Sequence, residues 1–232
     1  MENKPDLKSR ILFEDNHILV VQKLPGEMSQ GDKTGDTPLP DLLKLYLKEK
    51  YNKPGAVFLG VVHRLDRPVG GVMVFARTSK ALERLNEAFR EGKSRKTYLA
   101  VTTGKPSPES GELRNLLTRN EKLNKSFIAD APSAFTKEAI LNYQWKGGSD
   151  RYSLIEIELL TGRHHQIRVQ LAHMGCIIKG DLKYGAKRSN PDGSLSLLAW
   201  KLSFPHPVTK ELLSFTAPLP NEQPWIELGK YL

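Results

Sequence analysis

The sequence contains one cysteine, Cys176, which excludes an internal disulfide and any multi-thiolate zinc site. No apolar run approaches the ~20 residues that a bilayer-spanning helix needs. The first residues, Met1 to Asp6, lack the basic-then-apolar order of a secretory signal. No Gly-x-Gly-x-x-Gly, no phosphate-loop lysine motif and no Gly-x-Ser-x-Gly occurs, so dinucleotide cofactors, nucleotide-driven chemistry and serine hydrolysis have no sequence support. Internal repeats and low-complexity tracts are also missing. These absences leave a soluble protein in a reducing, cytoplasmic setting as the expectation.

What is present is charge. The 232 residues hold 35 Lys and Arg against 26 Asp and Glu, a formal surplus of +9. Such a surplus keeps a protein soluble, and it also serves a protein that neutralises nucleic-acid phosphates. Charge alone leaves both open. The 39% hydrophobic content is below the usual globular share but too high for a disordered chain, and the length suffices for a sizeable core in one or two domains.

Short strands alternate with a few helices, and no long linker divides them, so a single domain over 1–232 is expected. Ile11 to Asp15 and Ile18 to Lys23 are β-rich runs, and Asn16-His17 between them is short enough for a hairpin turn. Lys23 to Asp36 is polar, carries three glycines and reads as a loop. Thr37-Pro38 then looks like a cap with proline at the first helical position, before Leu39, Leu42, Leu43 and Tyr46 at helical spacing. Val57 to Val62 leads into His63-Arg64-Leu65-Asp66 and Arg67-Pro68-Val69-Gly70-Gly71. The proline and glycines exclude regular structure, so His63 to Gly71 is a tight, specific loop. Val72 to Ala76 is a strand. Thr78 or Ser79 caps a helix with Leu82, Leu85, Ala88 and Phe89 on its apolar face, ending near Gly92.

Lys96 to Val101 is a further strand, whereas Gly104 to Phe135 is polar and poor in signals. Arg151 to Leu160 alternates, with Ile155, Ile157 and Leu159 facing one way. After the break at Thr161-Gly162, His165 to Met174 reads as a helix with Ile167, Leu171 and Met174 inward and Gly175 as its stop. Gly180 to Gly185 is a loop. Leu195 to Phe204 and Leu212 to Thr216 are the last strands. Strands outnumber helices, so the expected class is α+β, with a mixed, mainly antiparallel central sheet flanked by helices.

Two segments could carry chemistry. Asp66 would stand on a rigid support near the surface, between an apolar strand and a Gly-Pro turn; the plainer alternative is a turn-forming Asp bonded to its own backbone. Gly162-Arg163-His164-His165-Gln166-Ile167-Arg168 crowds two Arg and two His into the start of a helix. Zinc would want two His at i and i+4 and a third ligand. Adjacent His164 and His165 point about 100° apart on a helix, so no metal site is expected. A solvated basic helix end and an anion site at the helix N-terminus both suit this segment. Tyr98, taken alone, is a mid-strand tyrosine with its hydroxyl satisfied, and Cys176 a small buried residue.

Together these segments resemble the RluA-type family of RNA pseudouridine synthases. Ile11 to Lys23 looks like the family's first motif. His63-Arg64-Leu65-Asp66 with Gly71 to Ala81 looks like its catalytic motif, and Lys96-Thr97-Tyr98-Leu99-Ala100 like its tyrosine motif. Thr161 to Arg168 and Gly180 to Gly185 match the next, and Phe204 to Thr209 with Phe215 to Pro220 resemble its ending. Four positions depart: Val69-Gly70-Gly71 replaces the usual Thr-Ser-Gly, His164 stands where Thr is usual, and Leu198 where His is frequent. None falls on Asp66, Tyr98 or Arg168. Too few residues precede Ile11 for the small RNA-binding S4 domain that many relatives carry.

The resemblance implies a pseudouridine synthase catalytic fold with a basic active-site cleft. It implies isomerisation of uridine in RNA to pseudouridine, with no cofactor. Asp66 takes the place of the catalytic carboxylate, Arg168 of the arginine that pairs with it, and Tyr98 of the ring that packs on the target base. Arg64 matches the arginine that fills the space left by a flipped base, and His63, Arg163 and His165 fall with it in the RNA-binding set. Structured RNA, ribosomal or transfer, is the implied partner, with large-subunit ribosomal RNA favoured, no obligate protein partner and a monomeric state. A non-catalytic RNA-binding protein on the same scaffold would share the charge but has no need of all three reactive residues. A glycosidase would want two catalytic carboxylates, and only Asp66 sits in such a motif.

Overall fold

Apolar runs punctuated by turn residues fix most of the elements. The structure, a computed structural model, describes residues 6–31 and 35–232. The start read for a signal, Met1 to Pro5, and part of the Lys23 to Asp36 loop, 32–34, lie outside the described residues. The chain divides into two compact units, Met1–Ser94 with Lys201–Ala217, and Arg95–Trp200 with Pro218–Leu232.

In the first unit, β1 (Ile11–Glu14) and β2 (Ile18–Lys23) form the expected antiparallel hairpin. Asp15 makes its turn, because its Oδ1 accepts the N–H groups of His17 and Ile18, both at 2.7 Å. Next to β2 lies β4 (Gly70–Ala76), buried along its whole length, and β3 (Gly60–Val61) also pairs with β4. The order continues from β4 to β11 (Leu197–Pro205) and β12 (Leu212–Thr216).

Helix α1 (Leu39–Lys50) buries Leu39, Pro40, Leu43 and Leu47. Its cap position falls on Pro38, one residue later than expected: Pro38 is extended, and its carbonyl receives the N–H groups of Asp41 and Leu42. Helix α2 (Ser79–Arg90) starts as expected, with Thr78 Oγ1 accepting the Ala81 N–H at 3.1 Å.

Glu14 ties α1 to this sheet. Its carboxylate accepts hydrogen bonds from Tyr46 (3.0 Å), Lys50 (2.9 Å), Tyr51 (2.5 Å) and Arg77 (3.2 Å). Burial opposes its charge, yet the bonds from Tyr51, Lys50 and Tyr46 outweigh that and hold the carboxyl below its ordinary value. A depressed carboxylate contributes stability above its unfolded pKa and loses it as pH falls through the folded one. Glu14→Gln should therefore flatten the loss of thermal stability below about pH 4.5, read by unfolding at stepped pH.

In the second unit the strand order is β11, β5 (Arg95–Thr103), β9 (Ser153–Leu159), β8 (Lys137–Gly148), β6 (Ser110–Asn120) and β7 (Lys125–Ala129). Short β10 (Ile177–Ile178) pairs with the end of β5. Ile155, Ile157 and Leu159 face the core as their alternation predicts. Helix α3 (Gln166–His173) buries every residue from Gln166 to Leu171, so its start is not a solvated basic end. The last helical turn is α4 (Trp225–Leu228). The β6–β7 hairpin lies in the span that reads as signal-poor, because only Leu117 in β6 is fully buried and polar residues line both faces.

Candidate active site

Asp66 sits half-buried on a loop whose backbone is clamped by side chains. Ser29 Oγ donates to the Leu65 carbonyl at 2.8 Å and receives the Leu65 N–H at 3.0 Å. The Asp66 carbonyl accepts the Val69 N–H at 3.0 Å, so the turn closes through the backbone of Asp66. The loop ends at Val69, and Gly71, the second residue of β4, is at φ +132°, a conformation suited to glycine. At Gly70 a Cβ would lie 3.0 Å from Pro25 Cδ, so the small residue permits the close approach.

Lys23, at the end of β2, is the main support, and reading the sequence did not single it out. Its side chain is fully buried. Its Nζ donates to the carbonyls of Val69 (2.7 Å), Arg67 (3.1 Å), Leu24 (3.2 Å) and Asp66 (3.3 Å). Burial draws its pKa down to about 7, against the pull of the Glu27 and Asp66 carboxylates.

Lys23→Met strips the donor from these carbonyls and should destabilise the protein by about 1–3 kcal/mol, with slower turnover. The pH dependence follows in sign. Between about pH 7 and 10.5 the unfolded chain keeps a proton that the folded chain sheds, so wild-type stability rises with pH across that window. Lys23→Met should lack this rise in thermal unfolding.

His63 and Arg64 flank the carboxylate differently. His63 Nε2 accepts the Val74 N–H at 3.1 Å, beyond the point where the β3–β4 ladder ends at Val61 and Phe75, and its ring stacks on Phe89 at 5.3 Å. Its imidazole thus extends the support of the strand. Arg64 is exposed.

In the second unit, Tyr98 lies mid-β5 opposite Ile157 and is 9% exposed. Arg168 lies in α3, 6% exposed, and grips Asp181 through Nε (2.7 Å to Oδ2) and Nη2 (2.8 Å to Oδ1). Its guanidinium also stands 5.1 Å from the centroid of Tyr184. The helix start is occupied from within: Gln166 Oε1 accepts the Arg163 N–H (3.0 Å) and the Thr161 hydroxyl (2.8 Å). The two arginines also have protein partners, Arg163 in the Glu138 carbonyl and Arg168 in Asp181.

His165 is in the left-handed region (φ +53°) and buried, with Nδ1 3.0 Å from Tyr184 Oη. Burial, reinforced by Arg168, lowers its pKa to about 2, so it stays neutral and offers no cation to a phosphate. Its ring meets Tyr184 edge-on, 5.6 Å between centroids. Arg163 is exposed, with Nε donating to the Glu138 carbonyl at 2.8 Å. Asp181 and Tyr184 fall in the Gly180 to Gly185 motif, yet nothing in their spacing from Arg168 announces their roles.

The first unit thus holds a carboxylate on a clamped loop, and the second a buried arginine braced by Asp181 and a tyrosine in a core strand. Comparison with known proteins gives the class. The family model described as RNA pseudouridylate synthase matches residues 17–173. Ribosomal large subunit pseudouridine synthase C of Buchnera aphidicola is 34% identical over 217 residues, covering 90% of this chain and 66% of that protein. Ribosomal large subunit pseudouridine synthase D of Zymomonas mobilis is 32% identical over 232 residues, covering 95% of this chain and 72% of that protein. Among solved structures, human RNA pseudouridylate synthase domain containing 4 aligns with a TM-score of 0.78 at 25% identity, covering 93% of this chain and 90% of that one. The chain belongs to the RNA pseudouridylate synthase family, whose reaction is an isomerisation of uridine in RNA to pseudouridine. It spans about two thirds of the length of the curated bacterial relatives named here.

Proposed function

We propose that this chain converts uridines in structured RNA, and specifically in large-subunit ribosomal RNA, to pseudouridine, with Asp66 as the catalytic carboxylate. The observation that carries the reading is Asp66 on its clamped loop, within the span that matches the family. The names of the two bacterial relatives support the ribosomal substrate. Both compact units together form one catalytic domain in this reading, acting as a cytoplasmic monomer with no obligate protein partner.

The target uridine lies stacked in its RNA and must flip out, which costs a few kcal/mol that phosphate contacts offset. Arg64, exposed beside the loop, stacks in the space left behind, and Arg163 contacts the backbone. Asp66 acts on the flipped nucleotide, the glycosidic bond breaks, and the base rejoins the sugar through carbon. Arg168 and Tyr98 complete the catalytic set in this reading, Tyr98 as the ring that packs on the base. The wall formed by Tyr184 and His165 holds the arginine side chain in one orientation.

The test is incubation of the purified chain with unmodified large-subunit ribosomal RNA and, separately, unmodified transfer RNA, followed by pseudouridine mapping. Discrete sites in the ribosomal RNA support the substrate assignment; sites in transfer RNA alone would reassign it. Arg64→Lys should slow conversion in the structured RNA more than in a short unpaired oligomer holding the same uridine. Equal losses in both would remove the wedge role.

A further inference from the structure

His164 does more than its neighbours require. Its ring lies over His165, with 3.8 Å between centroids and 21° between planes. Ser126 Oγ lies 2.9 Å from Nδ1 and 2.7 Å from the His164 carbonyl. On the far side, Nε2 donates to Asn124 Oδ1 at 3.1 Å. One imidazole thus joins the segment before α3 to both β7 and the turn between β6 and β7. A threonine there has one short hydroxyl and cannot span both contacts.

Two further ties hold the same turn. Lys183 Nζ donates to the carbonyl of Asn124 at 2.9 Å and of Leu123 at 3.4 Å. Tyr184 Oη accepts the Ser126 N–H at 2.9 Å and contacts the Ser126 carbonyl at 3.1 Å. The ring of that tyrosine faces the Arg168 guanidinium on one contact and the Lys125 ammonium, 4.9 Å from its centroid, on another. A short chain of contacts therefore runs from the turn to Arg168 inside one unit.

The turn is basic. Arg119, Lys122, Lys125 and Lys183 stand at it against one carboxylate, Glu121. Leu123 at its tip is 60% exposed, and Arg119 and Lys122 are exposed beside it. Cations on a hairpin end gain affinity for a polyanion when their spacing is set before binding.

We propose that His164 is a positioning residue, a latch that fixes the β6–β7 turn as a preformed seat for RNA phosphates in register with Arg168. The inference rests on the RNA substrate of the proposed function and assigns it a contact. The latch itself is a property of the free protein and is measured without substrate.

Three variants test it: His164→Thr, Asn124→Gly and the two combined. Glycine accepts the left-handed backbone of Asn124 (φ +45°), so the turn keeps its path and loses the side chain. In each single variant, hydrogen exchange at the amides of residues 123–125 should speed up in the free protein. KM for a structured RNA should rise roughly 2- to 10-fold, the worth of one hydrogen bond, and by more than kcat falls. The double variant should lose less than the sum of the two single losses, because both remove the contact between Nε2 and Asn124. Lys122→Ala should lower the salt dependence of RNA binding by about one phosphate. Additive losses in the double variant, or exchange at the turn in His164→Thr equal to wild type, overturn the proposal. A wild-type protein that converts no uridine, while exchange and RNA affinity shift as stated, counts against the proposed function and not the latch.

Discussion

Asp66→Asn should reduce pseudouridine formation by at least about 10,000-fold, the scale seen when a group that acts directly on the reacting atoms is removed. The side chain keeps its shape and loses its charge and basicity. The fold should survive, since the clamps act on the backbone: the Val69 N–H and the Lys23 ammonium bind the Asp66 carbonyl, and Ser29 binds Leu65. The RNA contacts assigned to Arg64 and Arg163 are also untouched. Purified Asp66→Asn should therefore bind structured RNA with near wild-type affinity in a titration while single-turnover conversion disappears. Residual turnover within a factor of ten of wild type would move the chemistry to another group.

Arg168→Met has the second largest expected effect, and it is double. The ion pair with Asp181 is buried on both sides, at 6% and 1% side-chain exposure. Removing one member of such a pair leaves a buried charge without its partner, at a cost of about 3–5 kcal/mol. The melting temperature should drop accordingly, and conversion should vanish. The combination Arg168→Met with Asp181→Leu separates the two effects. It removes both charges, so much of the lost stability should return, while conversion should stay absent. If activity returned together with stability, Arg168 would be a structural residue alone.

Much of the framework around the candidate site was legible in the sequence, and what was not has a common physical cause. The loop after His63 was visible because Pro68 cannot sit in regular structure, but it ends at Val69: Gly70 and Gly71, read as loop, open β4 instead, with Gly71 paired to Lys23 at a positive φ. The β1–β2 hairpin, the Thr78 cap and the alternation through Ile155, Ile157 and Leu159 follow from local rules and are present. Lys23 was not visible, because a lysine at a strand end reads as exposed. Its partners are four carbonyl groups, and backbone acceptors leave no mark on residue identity.

The same holds for His63, which bonds a strand N–H, and for Asp181, whose pairing with Arg168 depends on how the chain returns after α3. The β6–β7 hairpin escaped detection because its strands present little to a core: of its buried positions, Leu117 is apolar and Ser126 is polar. Periodicity reports burial, and a hairpin held by a histidine, a lysine and a tyrosine hydroxyl has little of it to report.

The account's central claim is that one carboxylate, held on a backbone-clamped loop, isomerises uridine in RNA. It is tested most directly by mapping pseudouridine in total RNA from cells that lack this protein, complemented with either the wild-type chain or Asp66→Ala at equal abundance. The account predicts that wild type restores one or a few missing sites in large-subunit ribosomal RNA and that Asp66→Ala restores none. Restoration of those sites by Asp66→Ala would contradict it.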